Sequence, residues 1–275
     1  MYPIIIISKF WIDSYDIFHF LALLSIVFFG LCLNYRYHKY PLGFGILIFS
    51  GIFAKLFSRI FYFLFFIPSE SWISFFFLER SGHVFLGGLL GGVLGALLYF
   101  EMKKIPKIEG LEIFVPYIPI GGILGRLGCF CAGCCYGTIT DSIFGLRFPM
   151  GSPAWAEHVS RQLITSDQFF SLPVHPTQLY EIGMWIIAGI ILITIRNRKP
   201  RKGTIILSFL SLYFLMRFVE NFVRADYGKV AWNLDLMQLL ALFIIPLSIL
   251  AILLIYRDKL LRLSLPQKKT PTDIQ

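Results

Sequence analysis

The chain has 275 residues, of which 57% are hydrophobic, 17% aromatic and only 15% Asp, Glu, Lys or Arg. A soluble domain carries roughly 25% charged residues, so this composition excludes a water-exposed globule and points to an integral membrane protein. The formal charge of +9 comes from short basic clusters between apolar runs, which reads as membrane topology and not as a nucleic-acid-binding face.

Stretches of about 20 apolar residues span a bilayer as helices. Seven are predicted, near 15–33, 42–67, 83–100, 111–125, 178–195, 204–222 and 236–256. The fourth is short and contains Pro116 and Pro119, an interruption tolerated where neighbouring helices satisfy the freed backbone groups. The run Ile4–Ile7 is too short, and lacks the basic start, to read as a cleaved signal peptide. The expectation is an all-α polytopic protein, a single transmembrane domain over 1–275 with about seven helices.

Orientation follows from the connections. Segments after the first, third and fifth helices and the C-terminal tail together hold 15 basic residues, against 7 on the opposite side. The positive-inside rule then puts the N-terminus outside and the C-terminus in the cytoplasm. The long connection 126–177 falls on the outer side, rich in Gly, Pro, Ser and aromatics, among them Phe144, Phe148, Trp155, Phe169 and Phe170. Connections of this length are usually functional or flexible, and the apolar content places this one on the bilayer surface or over a cavity. No internal repeat of the kind common in secondary transporters is evident.

Ionisable groups inside a bilayer are costly, so each is a candidate for function. In the sixth helix Arg217, Glu220, Asn221 and Arg224 follow a spacing that shares one helical face. Near the same outer boundary lie His175, Gln178, Tyr180 and Glu181 at the start of helix five, and Arg126 at the end of helix four. Lys55 and Arg59 of helix two, His83 at the start of helix three and Tyr15 at the start of helix one belong to the same level. One ion pair alone reads equally well as structural, with Arg224 reaching for the surface. Several arginines at one depth instead make a site for an anionic group, phosphate above all, because the planar guanidinium fork matches phosphate oxygens.

Helix three carries Gly87, Gly88, Gly91, Gly92 and Gly95, a spacing that suits close helix packing first and a backbone approach to a lipid head group second. Four of the five cysteines, Cys129, Cys131, Cys134 and Cys135, crowd into GRLGCFCAGCCYG. Three readings are open for them: packing or a structural disulfide, thiol redox through the Cys131–Cys134 pair, and a metal site of unusually tight spacing. Cys32, inside helix one, reads as a packing residue.

These residues resemble a known family, the prolipoprotein diacylglyceryl transferases of bacterial inner membranes. Gly125, Arg126, Gly128, Phe130 and Gly137 match the family signature G-R-x-G-N-F-x-N-x-E-x-x-G in order and spacing. Phe148-Pro149, HPTQLYE (175–181), RFVENFVRAD (217–226) and Leu236-Met237-Gln238 are similar to further family blocks, with Tyr15 and an Arg59-x-x-Tyr62 step beside them. The likeness covers roughly 15–240. In place of the signature's two asparagines and glutamate stand Cys129, Ala132 and Cys134, and Leu86 occupies the position of a family histidine regarded as a base, with His83 three residues before it.

The resemblance implies a multi-pass enzyme of the bacterial inner membrane, acting with no cofactor and no bound metal. Its partners would be phosphatidylglycerol, prolipoprotein signal peptides and membrane lipids, with no nucleic acid. The implied reaction moves diacylglyceryl from phosphatidylglycerol to the lipobox cysteine thiol and releases glycerol phosphate. Arg217, His83 and Glu181 are the expected catalytic residues. Arg126, Arg224, Arg59, Tyr15 and Gly137 are expected to bind phosphatidylglycerol. His175 is the second candidate base, and Glu220 a second carboxylate that orients an arginine. The departures leave another acceptor, or thiol redox or metal chemistry at the cysteines, as the alternative.

Overall fold

The computed structural model describes residues 4–7, 10–37, 40–66, 85–225 and 231–264. A two-stranded antiparallel hairpin, β1 (Ile4–Ile7) and β2 (Phe10–Asp13), pairs Ile4 with Asp13 and Ile7 with Phe10. It leads directly into α1 (Ser14–Tyr37). The chain continues through α2 (Gly45–Phe66), α3 (Phe85–Met102), α4 (Lys107–Phe114), a 3-10 turn (Val115–Tyr117) and α5 (Ile118–Ala132). A short α6 (Pro153–Ser160) lies in the long connection, and α7 (Thr177–Asn197), α8 (Thr204–Glu220) and α9 (Leu236–Ser264) follow.

Among the described residues, five segments are long and apolar enough to cross a membrane: Ile17–Tyr35, Gly45–Leu64, Lys107–Ala132, Thr177–Asn197 and Leu236–Arg257. Gly87–Met102 is apolar but shorter, and α8 has 17 residues. Large apolar side chains stand outward on these helices, Ile187 and Ile190 on α7 and Phe243, Leu247 and Leu254 on α9 among them. Water would not tolerate so extensive an apolar exterior; lipid tails do. The protein is a multi-pass helical membrane protein.

The fourth predicted span is longer than its sequence suggests. Pro116 falls in the 3-10 turn, where its missing N–H costs no α-helical bond, and Pro119 sits in the first turn of α5. The helix then runs to Ala132, where Gly133 ends it in the left-handed conformation (φ 71°). Arg126 is therefore held inside a helix, and the connection proper is 133–176.

Two packing seams build the body. Cβ atoms placed on Gly87, Gly91 and Gly95 would come within 2.6, 2.2 and 2.5 Å of the carbonyl oxygens of Phe57, Phe53 and Phe49. Ascending by four on α3 while descending by four on α2, these contacts describe two antiparallel helices touching backbone to backbone. The glycines of helix three thus serve as the packing seam. Elsewhere Trp185 of α7 stacks on Phe209 of α8 at 6.4 Å, and Phe209 stacks on Tyr213 at 6.1 Å. Trp185, Leu192, Phe209, Tyr213 and Met216 make a buried cluster between α7 and α8, and this aromatic column ends directly beneath Arg217.

Opposite ends of the helices carry different polar chemistry. At one end Glu109 accepts a hydrogen bond from Tyr40 and pairs with Lys202, while Arg196 donates to the Tyr117 hydroxyl at 3.0 Å. Glu112 Oε1 accepts the backbone N–H of Ile205 at 3.0 Å near the start of α8. The other end, where α5 and α8 finish and α7 begins, gathers the buried charges. Segment 133–176 caps that end. His175 N–H donates to Thr138 O (3.0 Å), Thr138 N–H donates to Val223 O (2.8 Å), and Leu146 pairs with Val174.

Candidate functional site

The site is built where the last turns of α5 and α8 meet the first turns of α7. Glu181 lies one turn into α7 and is fully enclosed. Its Oε2 is 2.6 Å from Arg126 Nε of α5. Its Oε1 takes hydrogen bonds from Arg217 Nη1 and Arg224 Nη1, each at 3.2 Å. Glu220 repeats the pattern, with Oε2 3.0 Å from Arg217 Nη1 and Oε1 3.2 Å from Arg224 Nη1. Three guanidinium groups therefore converge on two buried carboxylates, so the cations outnumber the groups that can neutralise them.

Their surroundings fix the arginines in place. Arg217 lies over the Tyr213 ring, 5.5 Å from its centroid, and donates from Nε to the Tyr213 hydroxyl at 3.4 Å. Arg224 is buried and forms an isolated antiparallel bridge with Gly137. Arg126 is the most open of the three, its side chain 13% exposed. Charges so enclosed interact strongly, and each carboxylate is required to neutralise its neighbours.

One expectation is corrected in detail. The shared helical face holds for Arg217 and Glu220, but α8 stops at Glu220, so Arg224 reaches the cluster from the turn that follows. Its backbone bridge to Gly137 does what a further helical turn would have done. Gly137 is a point of close backbone approach: a Cβ there would lie 2.6 Å from both His175 Cβ and Val223 O, and its N–H donates to His175 O at 2.8 Å. His175 is half-buried, with Nδ1 3.2 Å from the Tyr180 hydroxyl. Arg59 is half-buried and Lys55 exposed on α2, the helix paired with α3. His83 lies outside the described residues, as do the side chains of Tyr15, at the start of α1, and Leu86.

The cysteines sort themselves differently from their sequence spacing. All five are free thiols. The sulfurs of Cys129, Cys134 and Cys135 lie within 4.8 Å of one another, and Cys131 is not part of that group. After α5, Gly133 (φ 71°) and Cys135 (φ 60°) both turn left-handed, bending the chain so that two later thiols fold back on Cys129. A left-handed non-glycine residue costs about 1–2 kcal/mol, and buried partners hold it: Gln178 Nε2 donates to Cys134 O at 2.6 Å and Thr177 Oγ1 to Cys135 O at 2.5 Å. Arg126 Nη1 stands 4.0 Å from Cys129 Sγ, joining the two clusters. Hydrogen bonds from Cys129 and Cys134 hold the Cys135 thiol well below the ordinary thiol range, with the fields of Arg126 and Arg224 adding to them.

A family model described as prolipoprotein diacylglyceryl transferase matches residues 3–256. The chain belongs to the prolipoprotein diacylglyceryl transferase family. It is 31% identical over 165 residues to the phosphatidylglycerol--prolipoprotein diacylglyceryl transferase 2 of Clostridium perfringens, a match covering 60% of this chain and 59% of that one. It is 31% identical over 191 residues to the enzyme named phosphatidylglycerol--prolipoprotein diacylglyceryl transferase of Geobacter sulfurreducens, covering 68% and 66%. The correspondingly named protein of Xanthomonas oryzae pv. oryzae is 28% identical over 246 residues, covering 85% and 81%. The matches to the first two relatives thus span 59% and 66% of those proteins' own lengths, in each case less than two thirds.

Within this diacylglyceryl transferase family member, Tyr213 and Thr177 were not singled out as site residues by the sequence pattern, whereas Gln178 was placed at the same boundary. Tyr213 sits one helical turn before Arg217, a spacing at which aromatic and guanidinium side chains meet, and that is the signal that identifies it.

Proposed function

We propose that this chain transfers a diacylglyceryl group from phosphatidylglycerol to the lipobox cysteine thiol of prolipoproteins. It would do so in the bacterial inner membrane, with its N-terminus outside and its C-terminus in the cytoplasm. Supporting this orientation, the basic connections lie at the Glu109–Lys202 end of the helices and the arginine cluster at the other. Residues 1–275 act as a single membrane unit, with the region 126–177 forming its outer cap.

One observation carries the reading: Arg126, Arg217 and Arg224 converge on Glu181 and Glu220, three guanidinium groups against two carboxylates. In the proposed reaction a phosphodiester oxygen becomes the leaving group, and its growing charge is stabilised by donors already fixed in position. Arg126, the most open of the three, meets the head group first. Arg217, held between Tyr213 and two carboxylates, stabilises the departing glycerol phosphate. Arg224 adds its field, and Glu181 positions all three. Gly137 serves the lipid site by holding Arg224 through paired backbone, and Arg59 and Tyr15 are the further positions assigned to the lipid. His83 remains the proposed imidazole base, with His175 as its rival.

Cells depleted of their own transferase and supplied with this chain provide the test. Mass spectrometry should find diacylglyceryl on the acceptor cysteine of a prolipoprotein. Unmodified acceptor, with the chain present in the membrane, would reject the reading.

A further inference from the structure

Neither the arginine–glutamate cluster nor the aromatic column accounts for three thiols brought together at the same end of the helices. From their geometry we infer that Cys129, Cys134 and Cys135 form a three-thiolate zinc site with its fourth coordination position open.

Sulfur geometry is the first reason. Around zinc, with Zn–S about 2.3 Å, tetrahedral thiolates stand about 3.8 Å apart. Sulfurs within 4.8 Å of one another close onto such an ion by moving about an ångström or less. The supporting backbone is the second reason. Thr177 and Gln178, both fully buried, donate to the carbonyl oxygens of Cys135 and Cys134, so the strained turn is held in the conformation that aligns its thiols. Outer partners of this kind are what orient metal ligands.

Charge decides which ion fits. Three thiolates around a divalent cation leave one net negative charge. The adjoining cluster of Arg126, Arg217, Arg224, Glu181 and Glu220 holds more guanidinium groups than carboxylates and touches the thiols through Arg126, 4.0 Å from Cys129 Sγ. A divalent ion such as zinc leaves one thiolate charge for these guanidinium groups to offset, whereas a monovalent cation would leave two in a buried setting.

Three protein ligands and an open position are the arrangement of a catalytic zinc. Resting on the transferase reading, the fourth position receives the acceptor thiol. Coordination releases the thiol proton to solvent, because a metal-bound thiol is held as thiolate. That sulfur then attacks the glyceryl carbon. A carbon–sulfur bond forms, the carbon–oxygen bond to phosphate breaks, and its electron pair leaves on the glycerol phosphate held by the arginines. Zinc is unchanged, and neither His83 nor His175 is then required as base.

The experiment uses the full chain purified in detergent, exposed to Zn²⁺, dialysed against metal-free buffer and assayed for metal by mass spectrometry. One zinc per chain is expected, and zinc that washes out of the unsubstituted chain would overturn the site. Cys129→Ser, Cys134→Ser and Cys135→Ser should each weaken retention more than about ten-fold, the least that losing a ligand costs when an outer partner alone is worth that much. Cys131→Ser and Cys32→Ser should retain the ion fully, and undiminished zinc in Cys135→Ser would also overturn the site. Substituted with Co²⁺, the protein should show sulfur-to-metal absorption that shifts on adding a cysteine-containing lipobox peptide but not its serine counterpart. A spectrum indifferent to both would remove the open position. Neither readout involves diacylglyceryl transfer, so failure of the transferase reading would show separately, as zinc bound with no acceptor modified.

Discussion

Arg126 Nε on α5 and Glu181 Oε2 on α7 lie 2.6 Å apart, and through that one carboxylate three guanidinium groups are brought to a common point. Glu181 is the hub: its other oxygen accepts from Arg217 and Arg224.

Glu181→Gln should therefore be the most damaging single change in the membrane body. It leaves three guanidinium groups facing Glu220 alone, and breaking one side of a buried ion pair costs about 3–5 kcal/mol. Denaturant unfolding in detergent would show the loss, and Glu181→Gln combined with Arg126→Gln should recover part of it, since the pair removes opposite charges. A single variant as stable as the parent would show that the cluster is not held by its carboxylates.

The glycine seam makes an internally controlled prediction. At Gly91 an added Cβ falls 2.2 Å from Phe53 O, whereas at Gly92 the nearest atom is Ala54 Cβ at 3.7 Å. Gly91→Ala should push α2 from α3 and destabilise by at least about 1–3 kcal/mol, the usual cost of overpacking. Gly92→Ala has room and, at an internal helical position, gains helix propensity. Thermal unfolding of the two variants should separate them; equal behaviour would contradict the seam.

His158 gives the cap formed by segment 133–176 a dependence on pH. Burial lowers its pKa from the ordinary 6.5, and its Nδ1 accepts the backbone N–H of Leu172 at 3.2 Å, which only an unprotonated nitrogen can do. Because the folded value lies below the unfolded one, the contribution is present above pH 6.5 and is lost as the pH falls through the folded value. Hydrogen exchange at the Leu172 amide should rise on acidification below that point. In His158→Ala it should be fast throughout, with that pH dependence gone.

Much of this architecture was legible in the chain because a bilayer demands long apolar runs, and each of the seven predicted runs coincides with a helix or a joined pair of helices. The fourth was underestimated because Pro116 and Pro119 read as breaks, whereas a 3-10 turn absorbs the first and the opening turn of α5 the second. Arg217 and Glu220 announced themselves by spacing. The delivery of Arg224 did not, since it depends on a backbone bridge to Gly137 across a long stretch of sequence. Spacing also singled out Cys131 with Cys134 as a pair, yet the left-handed turn at Cys135 gathers Cys129, Cys134 and Cys135 instead. Sequence distance does not report a change in chain direction set by two backbone angles.

The sharpest measurement is glycerol phosphate release from phosphatidylglycerol by purified Arg126→Ala. Arg126 is the most open of the three arginines, with a side chain 13% exposed, so its removal tests head-group binding with the least disturbance to the buried cluster. Release should fall by about 10²–10³-fold, the cost of losing one fixed donor to a developing oxyanion. Arg126→Lys should restore only part of it, because an ammonium lacks the planar fork. Release by Arg126→Ala at the parent rate would contradict a phosphate-gripping arginine cluster.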